Sequence, residues 1–294
     1  MKKLRLPVCL VCLLAGTACA DLRFVEAGAE YRFDTGALRG VLRSGGRSRG
    51  IGPVTDSATG VTLANGSLSL LGPYRLLDAE NRYLPDAREW PSSARLLPDG
   101  AVEVHWAADA QHPFDLKVLY RWAATNALDA VTTVEARQPL RRFEVFMASY
   151  FQGFPAVYGF ADTGFVEVTK SMGDWLSFPR DAAAEALIAD GRWLRQPHPV
   201  TFKPVARYKG ALGVRRDLAS GLVGLVMAPA EECFAVLMPY GEDGHRSLYL
   251  SLFGRDFKTG ETATARARLV IGRHLSDRQI QECYQAYVTE VHAR

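Results

Sequence analysis

The strongest constraint on the fold is a series of short segments in which apolar and polar residues alternate. Between 102 and 107, Val102, Val104 and Trp106 alternate with polar or small residues, which is typical of a strand with one buried face. A denser apolar run at 143–151 predicts a strand that is covered on both faces. Further strand-like segments lie at 116–122, 130–136, 222–228, 234–238, 248–253 and 265–271.

Turn residues separate these segments. Pro98-Asp99-Gly100 directly precedes the 102–107 segment and suits a tight turn. The stretches Gly241–Gly244 and Lys258–Glu261 read as hairpin loops. Strands that recur at short spacing between such turns predict a mostly β chain, a large antiparallel β-sandwich rather than βαβ units. No linker rich in Pro, Ser or Gly interrupts residues 21–294, so one domain is predicted there.

Two helices are predicted, a short one near 181–190 and a C-terminal one near 276–292. The first is rich in alanine, and Gly191 stands where a terminating glycine is expected. The second begins with Ser276 and Gln279 in the spacing of a capping box. Its apolar face is expected to dock on the sandwich and comprises Ile280, Cys283, Tyr284, Tyr287, Val288 and Val291.

The first twenty residues are typical of a signal peptide. A basic start is followed by a short apolar run at 6–14, and Ala18-Cys19-Ala20 matches the small-x-small pattern at which a signal peptidase cuts. The prediction is export to the periplasm or medium after cleavage before Asp21. A lipoprotein cut before Cys19 is the alternative, although it favours a larger aliphatic residue where Gly16 stands. The apolar run is too short to span a membrane, and no later segment is long enough.

Removal of this segment changes the charge balance. It contains Lys2, Lys3 and Arg5 and no acidic residue, so the 35 basic and 32 acidic residues of the whole chain become 32 of each. A nucleic-acid-binding protein usually carries a basic stripe. The only basic cluster is the glycine-bearing stretch Arg43–Arg49, which reads first as a solvated turn. We therefore predict no nucleic-acid partner.

Only Cys233 and Cys283 remain beyond the signal segment. An oxidising compartment permits a disulfide between them, and two buried free thiols are the alternative. The chain has no CxxC, HxxxH or HExxH spacing. Neither a metal site nor a cofactor is predicted.

Three stretches resemble the galactose mutarotase-like supersandwich superfamily. Gly40-Val-Leu-Arg43, Gly50-Ile51 and Asp56-Ser-Ala-Thr-Gly60 are similar to its opening strands, and Trp90-Pro91 with Asp99-Gly100 to Trp106 is similar to its next hairpin. Its closing strands are resembled by Ser247–Gly254, Gly260-Glu261 and Arg266–Gly272.

The resemblance implies two large twisted antiparallel sheets and a concave face that holds sugars. Mutarotase-type enzymes of this superfamily use histidines and a glutamate as acid and base, one histidine lying in a His-x-Tyr-Phe-Asn-type motif. The local counterpart is Ala148-Ser149-Tyr150-Phe151-Gln152, in which Ala148 replaces that histidine. This departure argues against ordinary mutarotase chemistry.

Several residues are candidates for a sugar site. His105 points away from the apolar face of its strand, which suits a catalytic acid or base or a plain surface histidine. In 175–207, Trp175 and Trp193 offer stacking faces and His198 a hydrogen-bonding partner, unless the tryptophans only cap the sandwich. The cations of this segment that suit an acidic sugar, or else are simply solvated, are Arg180, Lys203 and Arg207.

Two further groups complete the candidates. Glu242 and His245 could form an acid–base pair across the Gly241–Gly244 turn, with Tyr240 beside them, or the turn is plainly exposed. Tyr150 and Gln152 belong to a central strand, where polar groups need hydrogen-bond partners from the protein or from a ligand.

These observations lead to one functional hypothesis and one alternative. The first is an exported protein that binds or processes carbohydrate in a cleft of the sandwich, with epimerase-like or polysaccharide-lyase-like activity if it is an enzyme. The alternative is a non-enzymatic structural or interaction protein that keeps the fold without a sugar site. The sequence leaves the choice between them, the sugar and the oligomeric state open.

The first prediction concerns processing. Protein produced in a Gram-negative host should be exported and begin at Asp21, because the Ala18-x-Ala20 pattern places the cleavage there. Intact mass spectrometry of the exported species measures this. A mature protein that retains Met1, or one that carries lipid on Cys19, contradicts the prediction.

Overall fold

The computed structural model describes residues 22–43 and 50–293. The predicted signal peptide and its cleavage site, and the basic stretch beyond Arg43, lie outside the described residues. The strands, in chain order, are β1 (Val25–Ala27), β2 (Glu30–Asp34), β3 (Leu38–Arg43), β4 (Gly50–Asp56), β5 (Thr62–Ala64), β6 (Gly72–Leu77), β7 (Ser93–Leu96), β8 (Val102–Trp106), β9 (Phe114–Ala124), β10 (Ala127–Ala136), β11 (Leu140–Tyr150), β12 (Ala156–Ala161), β13 (Gly164–Glu167), β14 (Trp175–Pro179), β15 (Lys203–Pro204), β16 (Tyr208–Asp217), β17 (Leu222–Met227), β18 (Cys233–Pro239), β19 (Ser247–Phe257) and β20 (Thr262–Arg273). The α-helices are α1 (Ala182–Ile188) and α2 (Asp277–His292), and 3-10 turns lie at Lys170–Met172 and Arg192–Leu194.

The strands form three sheets, which confirms the predicted mostly β, antiparallel class. A nine-stranded sheet has the order β13-β12-β16-β17-β20-β10-β9-β8-β7, and a six-stranded sheet has the order β15-β14-β18-β19-β11-β6. The third sheet runs β1 to β5 in sequence order. The pairs are antiparallel except for the short contact between β14 and β15. Every segment predicted from alternation is a strand, including the long central strand β11.

The nine-stranded and six-stranded sheets bury their facing sides in one core. Val118 and Tyr120 of β9 contribute to it from one sheet, and Val145 and Met147 of β11 contribute from the other. The Tyr120 hydroxyl donates a hydrogen bond to the carbonyl of Leu71, so the polar atom of this buried ring has a partner. Removal of these apolar faces from water is the main force that holds the sheets together.

Helix α2 covers the outer side of the nine-stranded sheet, as its apolar face predicted. The capping box forms: the Ser276 side chain accepts from Gln279 N, and the Gln279 side chain accepts from Ser276 N. Tyr284 is buried, and its hydroxyl accepts from Ala211 N at 3.1 Å and donates to Ala228 O at 3.3 Å. The ring lies so close to Gly210 that a β-carbon there would meet it at 2.4 Å.

Helix α1 lies on the other side of the molecule, over the outer face of the six-stranded sheet. Its N-cap is Asp181, whose side chain accepts from Ala184 N at 2.9 Å. The predicted glycine terminator is wrong in detail. The helix ends at Ala189 in a right-handed conformation, and Gly191, at φ 88°, instead begins the 3-10 turn Arg192–Leu194.

One predicted hairpin is also wrong. Gly241–Gly244 does join the paired strands β18 and β19. The turn at 258–261, however, joins β19 of the six-stranded sheet to β20 of the nine-stranded sheet. The same glycine-bearing composition serves a hairpin or a crossing between layers, because both need only a reversal of the chain.

The two cysteines are free thiols on different sides of the nine-stranded sheet. Cys233 belongs to the core between the sheets, whereas Cys283 is a residue of α2 and packs against the outer side of the nine-stranded sheet. Burial raises the pKa of Cys233 to about 12, so this thiol is inert near neutral pH. No helix in 22–43 or 50–293 is both long and apolar enough to cross a membrane.

The second prediction tests the docking of α2. Tyr284→Ala should lower the free energy of unfolding by about 3 kcal/mol, because it removes a buried ring from the outer face of the sheet. Tyr284→Phe keeps the ring but leaves Ala211 N without its partner, and should cost about 1–3 kcal/mol. Chemical denaturation of both variants measures the difference. An unchanged midpoint for Tyr284→Ala would show that α2 is not held by this contact.

Candidate functional site

A cavity of about 490 Å³ opens on the outer face of the six-stranded sheet. We call it the outer-face cavity. Side chains of β6, β11, β14 and β19 form its floor, and the segment 192–202 forms one wall. The residues that line it are Leu68, Tyr74, Arg75, Arg88, Phe146, Tyr150, Trp175, Trp193, His198, Pro199, Val200, Phe202, His245 and Tyr249.

The floor is aromatic because of the register between β11 and β19. Tyr249 lies opposite Ala148, so its ring falls between Phe146 and Tyr150, the residues on either side of Ala148 on the same face. The Tyr249 ring stacks on Phe146 at a centroid distance of 4.5 Å and meets Tyr150 edge-on at 5.8 Å. The small Ala148 side chain, where the resemblance implies a histidine, is fully buried in this cluster.

The two tryptophans of the cavity differ in their exposure. Trp193 is 2% exposed, and its ring meets Phe146 and Phe202 edge-on at 4.4 and 5.1 Å. It is therefore a core residue with one edge at the cavity, and of the two roles that the sequence left open it does not have that of an open stacking face. Trp175 is only half-buried and meets the His245 ring at 5.1 Å, so it is the more accessible stacking surface.

A buried ion network fixes the wall that carries Trp193. Arg192 is fully buried and binds Glu144 of β11 at 3.1 Å and Asp190 at 2.8 Å. Ser251 donates a further hydrogen bond to Glu144 at 2.7 Å. Burial raises the pKa of Glu144, and the neighbouring Arg192 charge opposes that shift. Because all of these partners are satisfied, the network places the 3-10 turn firmly against the sheet.

Two arginines bring positive charge to the cavity. Arg75 of β6 is 4% exposed and donates from Nη2 to the carbonyl of His198 at 2.7 Å. The Arg88 guanidinium carbon lies over the rings of Tyr74 and Tyr150, at 4.1 and 4.7 Å from their centroids. Neither arginine forms a salt bridge within the described ranges, and the cavity lining contains no aspartate or glutamate.

The titratable groups of the lining are two histidines and the tyrosines. His198 and His245 are both exposed, and His245 Nδ1 lies 2.8 Å from Asp243. Burial raises the pKa of Tyr249 well above its usual range, so this phenol stays protonated at neutral pH. Its hydroxyl is therefore a hydrogen-bond donor rather than a base. No group of three potential metal ligands occurs among residues 22–43 and 50–293.

The structure brings together about half of the predicted site residues. Tyr150, Trp175, Trp193, His198 and His245 line the outer-face cavity. Gln152 lines a second cavity of about 300 Å³, which shares Tyr150 and His245 with the first.

The other candidates lie outside both cavities. His105 is on β8 of the nine-stranded sheet and binds Asp115 at 2.8 Å. Arg180 pairs with Asp181, and Lys203 donates to the Met172 carbonyl. The remaining candidates, which line neither cavity, are Arg207, Tyr240 and Glu242. Glu242 is exposed in its turn. His245 contacts Asp243 instead of forming the expected acid–base pair with Glu242.

Comparison with known proteins places the fold. No family model matches the sequence, and no curated protein matches it. A galactose mutarotase related enzyme from Lactobacillus acidophilus superposes with a TM-score of 0.53 at 8% identity, covering 84% of this chain and 98% of that one. The chain has a galactose mutarotase-like fold. The likeness is confined to the fold, as the resemblance in sequence had predicted.

Two further structures have the same arrangement within longer chains. A TPR-domain containing protein from Parabacteroides distasonis gives a TM-score of 0.53 at 9% identity, covering 84% of this chain and 47% of that one. An α-N-acetylgalactosaminidase from Bifidobacterium bifidum, in complex with Gal-NHAc-DNJ, gives 0.50 at 12% identity, covering 91% and 38%.

Sequence reasoning missed Tyr74, Arg75, Arg88 and Tyr249. Arg75 carried a usable signal, since it is a lone charge between apolar residues in Tyr74-Arg75-Leu76-Leu77. Tyr249 lies in a segment that was predicted as a strand, but its face depends on the register with β11. Arg88 lies between β6 and β7, where no periodicity points to a site.

The third prediction concerns Trp193. Trp193→Ala should lower the free energy of unfolding by about 3–5 kcal/mol, because the ring packs on Phe146 and Phe202. Leu194→Ala is the control, since the neighbouring Leu194 is 58% exposed and should change stability by less than about 0.5 kcal/mol. Equal denaturation midpoints for the two variants would contradict the packing described here.

Proposed function

We propose that this chain is an exported protein that binds or processes carbohydrate, and that the outer-face cavity is its sugar site. The observation that carries the proposal is the composition of the cavity, in which accessible aromatic rings stand beside hydrogen-bonding groups. Aromatic faces stack on the apolar C–H faces of sugar rings, and the polar groups orient the hydroxyls. The cavity volume is within the usual range for small-ligand sites.

Individual residues have distinct roles in this proposal. Trp175 supplies the stacking surface at the open side, and Tyr150 and Tyr249 supply hydroxyls from the floor. His198 and His245, both exposed at the rim, are available to hydrogen-bond or to transfer protons. Export follows from the signal segment at 1–20 and suits a protein that meets glycans outside the cell.

The chemistry of the lining favours binding or lyase-like processing over epimerisation. Epimerisation of the mutarotase type needs a carboxylate base, and Ala148 stands where the superfamily motif has a histidine. The lining has no carboxylate, but it combines histidine rings and tyrosine hydroxyls with arginine side chains. A lyase-like reaction on a uronic acid requires groups of these types. The TPR-domain relative also supports keeping the interaction-protein alternative, since the fold alone does not specify a function.

The fourth prediction tests the site. Trp175→Ala should weaken glycan binding at least tenfold, about 1.4 kcal/mol, because it removes the accessible stacking face. Tyr158→Ala is the matched control, since Tyr158 is also half-buried but lies on the outer side of the nine-stranded sheet. Calorimetric titration of a broad panel of neutral and acidic oligosaccharides, with a thermal melt of each variant, measures the effect.

The outcomes separate the two functions. Loss of binding in Trp175→Ala but not in Tyr158→Ala supports the sugar site. Equal weakening in both variants places the glycan elsewhere. Absence of binding by the wild type across the whole panel overturns the carbohydrate proposal and favours the interaction-protein alternative.

A further inference from the structure

We infer that the outer-face cavity selects carbohydrates that carry a negatively charged group, a uronate carboxylate or a sulfate ester, and that Arg75 and Arg88 bind that group. The inference rests on the proposed sugar site and adds the class of sugar. It depends on the donors of these two side chains, on the lack of a carboxylate beside them and on the size of the cavity.

Arg75 is a buried cation whose donors are only partly used. A guanidinium has five N–H donors and no acceptor, so a buried one needs several partners. Nη2 donates to the His198 carbonyl at 2.7 Å, whereas Nε and Nη1 are buried and have no hydrogen-bond partner. The faces of this guanidinium lie against Trp193 and Tyr74, at 5.2 and 5.4 Å from the ring centroids. Nε and Nη1 therefore keep N–H donors that lack an acceptor, and an anionic group supplies one.

Arg88, which is half-buried, also lies over the Tyr74 ring and has unused donors. Its guanidinium carbon lies 4.1 Å from the Tyr74 centroid and 4.7 Å from the Tyr150 centroid. Its Nε and Nη2 are buried without a partner. Aromatic faces hold a guanidinium in place through cation–π attraction but do not use its N–H donors. Two arginines that share Tyr74 and line one cavity therefore have four buried donor nitrogens without a partner.

Other buried arginines of the described chain show that this arrangement is unusual for it. Arg192 is paired with Glu144 and Asp190, and Arg268 with Asp129 and Glu290. Arg215, which has no carboxylate partner, donates instead to the carbonyls of Phe154, Gly241 and Ser247. Among the arginines within 22–43 and 50–293, only Arg75 and Arg88 combine several buried donors, no acidic partner and a position in the lining of the outer-face cavity.

An anionic ligand would compensate for the unpaired charges of Arg75 and Arg88. Burial of an unpaired charge is costly, and a ligand anion that accepts the free N–H groups removes that cost. The surroundings are aromatic rather than aqueous, so the charge-assisted hydrogen bonds formed there are strong. A neutral sugar offers hydroxyls to the same donors but no opposite charge. An acidic sugar should therefore bind in preference.

The second cavity, which adjoins the outer-face cavity, gives room for more than a single sugar unit. It shares Leu68, Tyr150 and His245 with the outer-face cavity and includes Gln152 and Arg246. A chain of sugars that places its acidic group against Arg75 and Arg88 can continue across Tyr150 into this second space. Short acidic oligosaccharides are therefore better probes than monosaccharides.

The test compares acidic oligosaccharides with their neutral counterparts by calorimetric titration of the full chain. The probes are tetrasaccharides that contain galacturonate, mannuronate or glucuronate, each beside its carboxyl-reduced form, and a sulfated tetrasaccharide beside its desulfated form. The wild type should bind at least one acidic probe at least tenfold more tightly than its neutral counterpart, and added salt should reduce the difference. Carboxyl reduction and desulfation identify which acidic group is recognised.

Variants locate the effect. Arg88→Gln should abolish the preference for the acidic probe, and Arg75→Lys, which keeps a charge but not the planar donor edge, should reduce it. Arg216→Gln is the matched control, because Arg216 also lies over a tyrosine ring, Tyr158, at 5.4 Å, but outside the cavity. A thermal melt shows whether each variant is folded, and the wild-type comparison needs no variant at all.

The possible results are distinct. Equal binding of acidic and neutral probes by the wild type overturns the inference and leaves the proposed sugar site standing. A preference that survives unchanged in folded Arg88→Gln and Arg75→Lys overturns the assignment to these residues. No binding of any tetrasaccharide, acidic or neutral, overturns the proposed function together with the inference.

Discussion

The architecture depends on a sheet that is apolar on both faces. Along β11, Val145 and Met147 point into the core between the sheets, whereas Phe146 and Ala148 point outward. One sheet can cover only one of these faces, so the second must be covered by other parts of the chain. Helix α1 and the segment around Trp193 provide that cover, and they cover it incompletely. The outer-face cavity is the part of the apolar face that they leave open.

The buried charges of this arrangement differ in whether they have a partner of opposite charge. The Glu144–Arg192–Asp190 network is buried and satisfied, so it holds the covering segment to the sheet. Arg75 has one hydrogen-bond partner, the His198 carbonyl, and its Nε and Nη1 have none. The same residue thus contributes to the position of the wall and to the electrostatics of the cavity. A buried cation with unpartnered donors, such as Arg75, is one to which a ligand can supply the missing hydrogen-bond acceptors.

The comparison with known structures explains why the fold alone leaves the function open. A galactose mutarotase related enzyme, a TPR-domain containing protein and a glycosidase share this arrangement at 8% to 12% identity. What differs among such proteins is the set of side chains on the faces of the sheets. Here the set includes Ala148, where the sequence resemblance implies a histidine, together with aromatic rings and two arginines that have no acidic partner. The proposal of an acidic-sugar site is drawn from those side chains and not from the fold.

The sequence by itself determined both helices and eight of the strands, β8 to β11 and β17 to β20. The signals were local: period-two alternation in 102–106 and 265–271, and the Ser276–Gln279 capping box. Such signals do not depend on what the strand or helix packs against. It did not determine which strands share a sheet, as the turn at 258–261 shows. It also could not assign faces in β11, where both faces are apolar and alternation carries no information.

Only the tertiary structure decided the composition of the site. The sequence left open whether Trp193 is a rim aromatic or caps the sandwich, and in the structure it is buried beside the Arg192 network. Tyr249 reaches the cavity because of its register opposite Ala148. Arg75 and Arg88 both lie over the Tyr74 ring, although nothing in their spacing predicts it. The convergence of these side chains depends on contacts between segments that are distant in sequence. Local propensity does not specify such contacts.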